Sequence, residues 1–132
     1  MAVYRRVLLV VDLTDDSLAI GRKAQALASA AGAEVELLHV VEFVPVEPMG
    51  ETLMPPVQFE DELLQRAEQR LGALAAELGL AGAPCRVESG NVKAEIVRVA
   101  RERHGLSILV NFTEDTVLHS APCDVLAMRA RT

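Results

Sequence analysis

A few side chains of this 132-residue chain have both the type and the setting for chemistry. Asp12 is the strongest candidate, because it stands where the apolar run VLLVVD leaves a predicted buried strand. A carboxylate at this position can serve as a functional polar group or as a cap for the helix that follows, and the sequence leaves both roles open. His39 lies inside the apolar run LLHVV and is predicted to be a hydrogen-bonded core histidine rather than a ligand or base.

The other nucleophiles and metal-ligating residues lack partners. Ser89, Ser107 and Ser120 stand outside any GxSxG motif, and the sequence holds no His-x-x-x-His pair. Cys85 and Cys123 are far apart and match no metal-ligand spacing. The sequence leaves a disulfide between them open, but it favours two reduced, mostly buried thiols of a cytosolic protein. The sequence therefore predicts neither a catalytic centre nor a metal site.

Composition excludes several classes of function. The formal charge is −6 and only four residues are aromatic, which argues against nucleic-acid binding. No apolar run approaches the roughly 20 residues that a bilayer span needs, and MAVYRR leads directly into a strand rather than into a signal sequence. We expect a single cytoplasmic domain over residues 1–132 that does not bind membranes.

Strand and helix patterns alternate along the chain. The predicted strands cover residues 7–12, 34–43, 84–89, 106–110 and 124–130. Helices are expected to begin near Thr14, Phe59 and Asn91, and to end at Gly32, Gly79 and Gly105. This alternation predicts an α/β doubly wound fold with a parallel sheet and helices on both faces, whose ligands bind beyond the carboxyl ends of the strands.

The segment 44–58 breaks this alternation. It holds four prolines and a glycine, and we expect it to form a long loop. A loop of this length is a candidate lid over a site at the carboxyl ends of the strands.

With these elements placed, the sequence resembles the universal stress protein family over nearly its whole length. VLLVVDLTDDS is similar to the opening strand of that family with its terminal Asp, and AGAEVELLHVVE is similar to the second strand. Gly90, followed by a helix with Ile96, stands where the family keeps a Gly and an Ile. The most specific match is VLHSAPCDVLAMR, which resembles the last helix and the final strand.

The resemblance implies a Rossmann-like fold of the adenine nucleotide alpha hydrolase type, with five parallel strands in the order 3-2-1-4-5. It also implies a homodimer in which the fifth strands pair across a twofold axis. Bare apolar edge strands aggregate, so such pairing suits this strand. The strand comprises Val125, Leu126, Ala127, Met128 and Arg129.

The resemblance also bears on nucleotide binding. One group of the family binds ATP through a Gly-x-x-Gly, nine-residue, Gly-Ser/Thr signature after the fourth strand, and another group lacks the signature and does not bind ATP. Val10 and Asp12 match adenosine-side positions of the family, and Val40 matches an adenine contact. The phosphate-side residues have no counterpart, because all eight glycines lie at or before residue 105.

At the position of the missing signature, the fourth strand runs directly towards the last helix. The junction consists of Val110, Asn111, Phe112 and Thr113. Asn111 can cap the helix, and Glu114 can complete a capping box. Glu114 and the adjacent Asp115 would place negative charge at the helix start, where it repels phosphate. This junction predicts that the chain does not bind ATP tightly.

These observations predict a non-enzymatic, dimeric stress-response or regulatory protein with a degenerate nucleotide site, no cofactor and at most weak ATP hydrolysis. The alternative is binding of ATP or AMP, either with a loop between Val110 and Thr113 that the given chain lacks or with adenosine alone. A remote alternative is a phosphate-accepting receiver domain, suggested by VVDLTDD. RVESG and AMRA lack the Asp and Lys that a receiver requires at the third and fifth strands.

Overall fold

A parallel sheet flanked by helices organises the chain in a computed structural model, which describes residues 5–14, 17–42, 56–102, 108–111 and 124–127. For residues 56–59, 108–111 and 124–127 only the backbone is described. The described strands form one sheet in the order β3-β2-β1-β4-β5, and every pairing is parallel. The strands are β1 (Arg6–Val10), β2 (Glu34–Glu42), β3 (Cys85–Gly90), β4 (Ile108–Asn111) and β5 (Asp124–Ala127). The predicted α/β class with a parallel sheet is confirmed.

Three described helices cover the sheet: α1 (Ser17–Ala31), α2 (Pro56–Glu77) and α3 (Val92–Glu102). Alternate residues of β1 and β2 face two separate cores. Leu9 and Leu37 pack under α1 and α2, whereas Leu8 and Leu38 pack under α3. Because the central strands are covered on both faces, their sequences read as continuous apolar runs rather than as alternating ones.

Glycines end the first two helices as predicted. Gly32 follows α1 with a φ of 68°, and Gly79 follows α2 with a φ of 74°. At each end the N–H groups of the glycine and of the residue after it donate hydrogen bonds to carbonyls of the last helical turns, which is a Schellman motif. An example is the bond from Ala33 N–H to the Ala28 carbonyl at 2.8 Å. The left-handed conformation is the reason why a glycine is favoured at both ends.

Helix α2 begins earlier than the sequence suggested. Its first residue is Pro56, so the last part of the predicted 44–58 loop is helical and the expected start at Phe59 is wrong. Proline suits the first helical position, because the N–H that it lacks has no partner within the helix there. Residues 43–55 lie outside the described residues.

Individual burial predictions also need correction. The helical pattern of the first helix predicts Leu18, Ala24, Leu27 and Ala28 on its core face, but Leu27 is 38% exposed, and Ile20 is buried with Ala24 and Ala28. On α3 the sequence pattern predicts a core face of Ile96, Val97 and Ala100, but Val97 is half-buried and Val99 is buried with the other two. Cys85 is exposed instead of buried, because it opens the edge strand β3.

Several predicted features fall partly or wholly outside the described residues. Phe112, Thr113, Cys123, Met128 and Arg129 are among these. The described backbone places Asn111 at the end of β4, where it pairs with Ala127 of β5. The strand therefore extends through the residue that was expected to cap the next helix. None of the described helices is long and apolar enough to cross a membrane.

Candidate functional site

The candidate site begins at the carboxyl end of β1. After Val10 the chain leaves the strand, and Val11 N–H still donates to the Leu38 carbonyl of β2 at 2.9 Å. Leu13 then adopts a φ of 57°, a left-handed conformation that leucine rarely takes. Its side chain is only 8% exposed and packs in the core under α1 and α2. The chain after β1 is therefore strained at Leu13 and anchored there by apolar packing.

Asp12 is the polar centre of this turn. Its Oδ1 accepts hydrogen bonds from Thr14 N–H at 3.1 Å, from the Thr14 hydroxyl at 2.8 Å and from the Ser17 hydroxyl at 2.8 Å. Partial burial acts to raise the pKa of Asp12, but the bonds from Thr14 and Ser17 outweigh it, so the pKa lies below its ordinary value. The ionised carboxylate is the form that this turn stabilises.

These contacts bind the carboxylate to the start of α1. The Ser17 hydroxyl belongs to the first residue of the helix, and Ser17 N–H donates to the Thr14 carbonyl at 3.0 Å. Asp12 thus organises the turn that leads into the helix, and a negative charge near a helix start is favourable. The sequence left two roles open for Asp12, a functional polar group and a helix cap. The observed contacts are those of the structural role.

The family-matched valines lie on the other face of the sheet from Leu13. Val10 is 1% exposed and Val40 is 6% exposed, and both belong to the core cluster under α3 with Ile96 and Val99. The structure therefore brings Val10 and Val40 into one cluster. Their side chains are buried against α3 and are not presented to solvent.

His39 is hydrogen-bonded, as predicted, but it is half-buried and not part of the core. Its Nδ1 lies 2.8 Å from the Val11 carbonyl oxygen. Because a carbonyl only accepts, Nδ1 must carry the proton and donate it. The ring thereby ties β2 to the chain immediately before Asp12, and it has a structural role at this edge.

Sequence reasoning missed Arg70. This residue lies on α2, and its Nη2 donates a hydrogen bond to the Leu13 carbonyl across a separation of 57 residues. Nothing in the sequence sets Arg70 apart from the other charged residues on the exposed face of α2. Only the packing of α2 beside α1 brings it to the turn.

A second missed contact lies at the carboxyl end of β3. The Ser89 hydroxyl donates to Glu60 Oε1 at 2.6 Å, which joins β3 to the first turns of α2. Glu42, at the end of β2, pairs in register with Gly90. Carboxylates are therefore frequent at this edge, and no group of three metal-ligating side chains forms among the described residues.

The start of α3 follows the sequence prediction. Gly90 has a φ of 139°, and a Cβ added there would lie 3.1 Å from Glu95 Oε1. Asn91 Oδ1 accepts from Ala94 N–H at 3.0 Å, the contact of a helix N-cap. The family-matched Gly90 thus occupies a position where any side chain would be both strained and crowded.

With the fold and this turn in place, the comparisons with known proteins identify the family. A sequence model described as the universal stress protein family matches residues 3–129. The chain belongs to the universal stress protein family.

The matches to three similar proteins extend over nearly the whole of both chains. Universal stress protein A homolog 2 of Coxiella burnetii is 29% identical over 141 residues, which cover 97% of both chains. A universal stress protein family structure from Burkholderia pseudomallei has a TM-score of 0.72 at 22% identity, and the match covers 97% of this chain and 98% of that one. A universal stress protein in complex with cAMP has a TM-score of 0.69 at 19% identity, with 97% of this chain and 99% of that chain covered. At these identities the structural matches show the fold alone.

Proposed function

We propose that this chain is a non-enzymatic, dimeric stress-response or regulatory member of its family, in which the nucleotide site is degenerate. The observation that carries the proposal is the hydrogen bonding of the Asp12 carboxylate. Its Oδ1 already accepts three hydrogen bonds from Thr14 and Ser17 and serves the start of α1. A ligand that needed this oxygen would have to replace those bonds at the expense of the turn.

Two further features support the degenerate site. The family-matched Val10 and Val40 are buried under α3, so their side chains offer no exposed apolar surface for a base. The sequence after Val110 lacks the glycines with which backbone N–H groups approach phosphates. Carboxylates at the carboxyl edge, such as Glu42 and Glu60, add repulsion towards a polyphosphate.

The proposal also covers the fold, the oligomeric state and the cellular location. The chain has the five-stranded sheet of the family in the order 3-2-1-4-5, and the strand Val125–Arg129 pairs with a second copy to form a dimer. The protein acts in the cytoplasm without a bound cofactor. It acts by binding another protein and not by catalysing a reaction.

A second candidate function is binding of a nucleoside monophosphate. The fold relative in complex with cAMP favours it, since such a ligand carries one phosphate and not three. All described contacts of Asp12 use Oδ1, so a ribose hydroxyl would donate to Oδ2. Val10 and Val40 would then line the adenosine side through their backbone.

Isothermal titration with ATP, ADP, AMP and cAMP tests both candidates. We expect no binding of ATP at micromolar concentrations, and micromolar ATP affinity would refute the leading proposal. Binding of AMP or cAMP without ATP would establish the second candidate, provided that Asp12→Asn weakens it. An intact mass compared with the encoding gene tests the remaining alternative, in which a loop between Val110 and Thr113 is missing from the given chain.

A further inference from the structure

We propose that Arg70 is a positioning residue that locks the Asp12–Thr14 turn and thereby keeps the Asp12 carboxylate directed at α1. This inference rests on the proposed function in one respect, since it explains why Asp12 is committed to structure. The lock itself is a property of the free protein and does not require any ligand.

The turn needs an external restraint because its backbone is unfavourable. Leu13 has a φ of 57°, where the Cβ of an L-residue crowds its own backbone. Residues held in this region persist only when their surroundings fix them. The buried Leu13 side chain supplies one restraint, and the Leu13 carbonyl, bound by Arg70 Nη2, supplies the other.

The two restraints act on opposite sides of the same residue. Apolar packing under α1 and α2 holds the side chain, while a cationic donor on α2 holds the carbonyl oxygen. Hydrogen bonds from a guanidinium are stronger than neutral ones, and the planar group is rigid. With Leu13 fixed in this way, Asp12 and Thr14 on either side of it are set at the distances at which Oδ1 receives its donors.

The position of Arg70 allows a clean test. The residue is exposed, and it borders a cleft of about 290 Å³ between α1 and α2 that Thr14, Ser17 and Glu77 also line. Replacement by glutamine removes the charged donor without opening the core. Arg66 is exposed one turn earlier on the same helix, so Arg66→Gln is a matched control for the loss of one positive charge.

Amide hydrogen exchange measures the lock directly. In Arg70→Gln we expect the amides of Thr14 and Ser17 to exchange roughly tenfold faster than in the wild type, because the turn opens more often. Carbon-detected NMR titration should also show the pKa of Asp12 moving up towards its ordinary value as its hydrogen bonds loosen. Arg66→Gln should change neither reading.

A double-mutant cycle tests whether the lock acts through the Asp12 contacts. In an Asp12→Ala background Thr14 N–H has lost its side-chain acceptor, so Arg70→Gln should accelerate exchange at Thr14 much less than it does in the wild type. Unchanged exchange in Arg70→Gln, an equal effect of Arg66→Gln, or an undiminished effect in the Asp12→Ala background would each overturn the inference. Exchange is measured without nucleotide, so detection of ATP binding would refute the proposed function and leave this result unaffected.

Discussion

At the scale of single residues, the carboxyl end of β1 shows how a carboxylate in a site position can serve structure. Asp12 Oδ1 accepts hydrogen bonds from the N–H and the hydroxyl of Thr14 and from the hydroxyl of Ser17. His39 contributes from β2 by donating to the Val11 carbonyl. Together these contacts fix the path of the chain from strand to helix.

Asp12→Ala is therefore expected to lower the free energy of unfolding at pH 7 by about 1 kcal/mol, the usual cost of losing a side-chain acceptor at a helix start. The pKa of Asp12 in the folded protein lies below its ordinary value of 3.8, so the carboxylate stabilises the fold above that pH. The contribution is lost as the pH falls through the lowered pKa. Urea denaturation of both proteins at several pH values measures the difference, which should shrink below pH 3.8. A difference that stays constant into acid would contradict the role of the ionised form.

At the scale of elements, α1 closely approaches the residue that follows α2, and the contact is made at a glycine. A Cβ added at Gly21 would lie 2.7 Å from Leu78 Cδ1, and Leu78 is only 3% exposed. The buried leucine has little room to move, so this contact requires glycine. By contrast, a Cβ at Gly72 on α2 would meet no atom within 4 Å.

The two helical glycines should respond to alanine in opposite directions. Gly72→Ala is expected to raise the free energy of unfolding by about 0.5–1 kcal/mol, because alanine is the better helix former. Gly21→Ala gains the same propensity but overpacks the contact with Leu78, and we expect a net loss of about 1 kcal/mol. Urea denaturation of the two variants serves as a matched comparison. Equal gains at both positions would show that α1 and α2 separate easily.

A network of ion pairs joins the edge strand β3 to α3. Arg86 and Arg98 contact Glu88, Glu95 and Glu102 at distances of 2.6–3.3 Å. These side chains remain 22–46% exposed, so solvent screening limits the stability that the pairs add. Their charges also line the outermost strand of the sheet, and charged side chains discourage further strand pairing there.

At the scale of the whole molecule, the sheet has two outer strands with different characters. β3 carries charged side chains, whereas the segment VLA of β5 is apolar in sequence. An exposed apolar edge invites pairing with another chain. This contrast favours β5 as the strand through which two copies associate.

Replacing Val125 and Ala127 together by lysine should convert the proposed dimer into a monomer. The two residues lie on the same side of the strand, and like charges that face each other across paired strands are unfavourable. Sedimentation velocity measures whether each variant is a dimer or a monomer. Ala19 and Ala26 are exposed on α1, so the same double replacement there is the control for added charge. A wild-type protein that sediments as a monomer would remove the basis of the proposal.

The sequence by itself determined the features that depend on local pattern. Apolar runs and helical periodicity predicted the α/β class, Gly32 and Gly79 marked the ends of two helices, and the apolar surroundings of His39 predicted that its ring is hydrogen-bonded. These predictions hold because strand burial and helix termination are written in neighbouring residues. Predictions that depend on what covers a residue were weaker, as the exposure of Leu27 and Cys85 shows.

Only the tertiary structure decided what Asp12 contacts and how its turn is held. The Thr14 and Ser17 contacts are near in sequence, but they require Leu13 to take a backbone conformation that no pattern predicts. The donor that reaches Leu13 is Arg70, which lies 57 residues away on a helix whose charged face looks uniform in sequence. Its partner is a backbone carbonyl, a group that every residue carries, so only the packing of α2 beside α1 could select this pair.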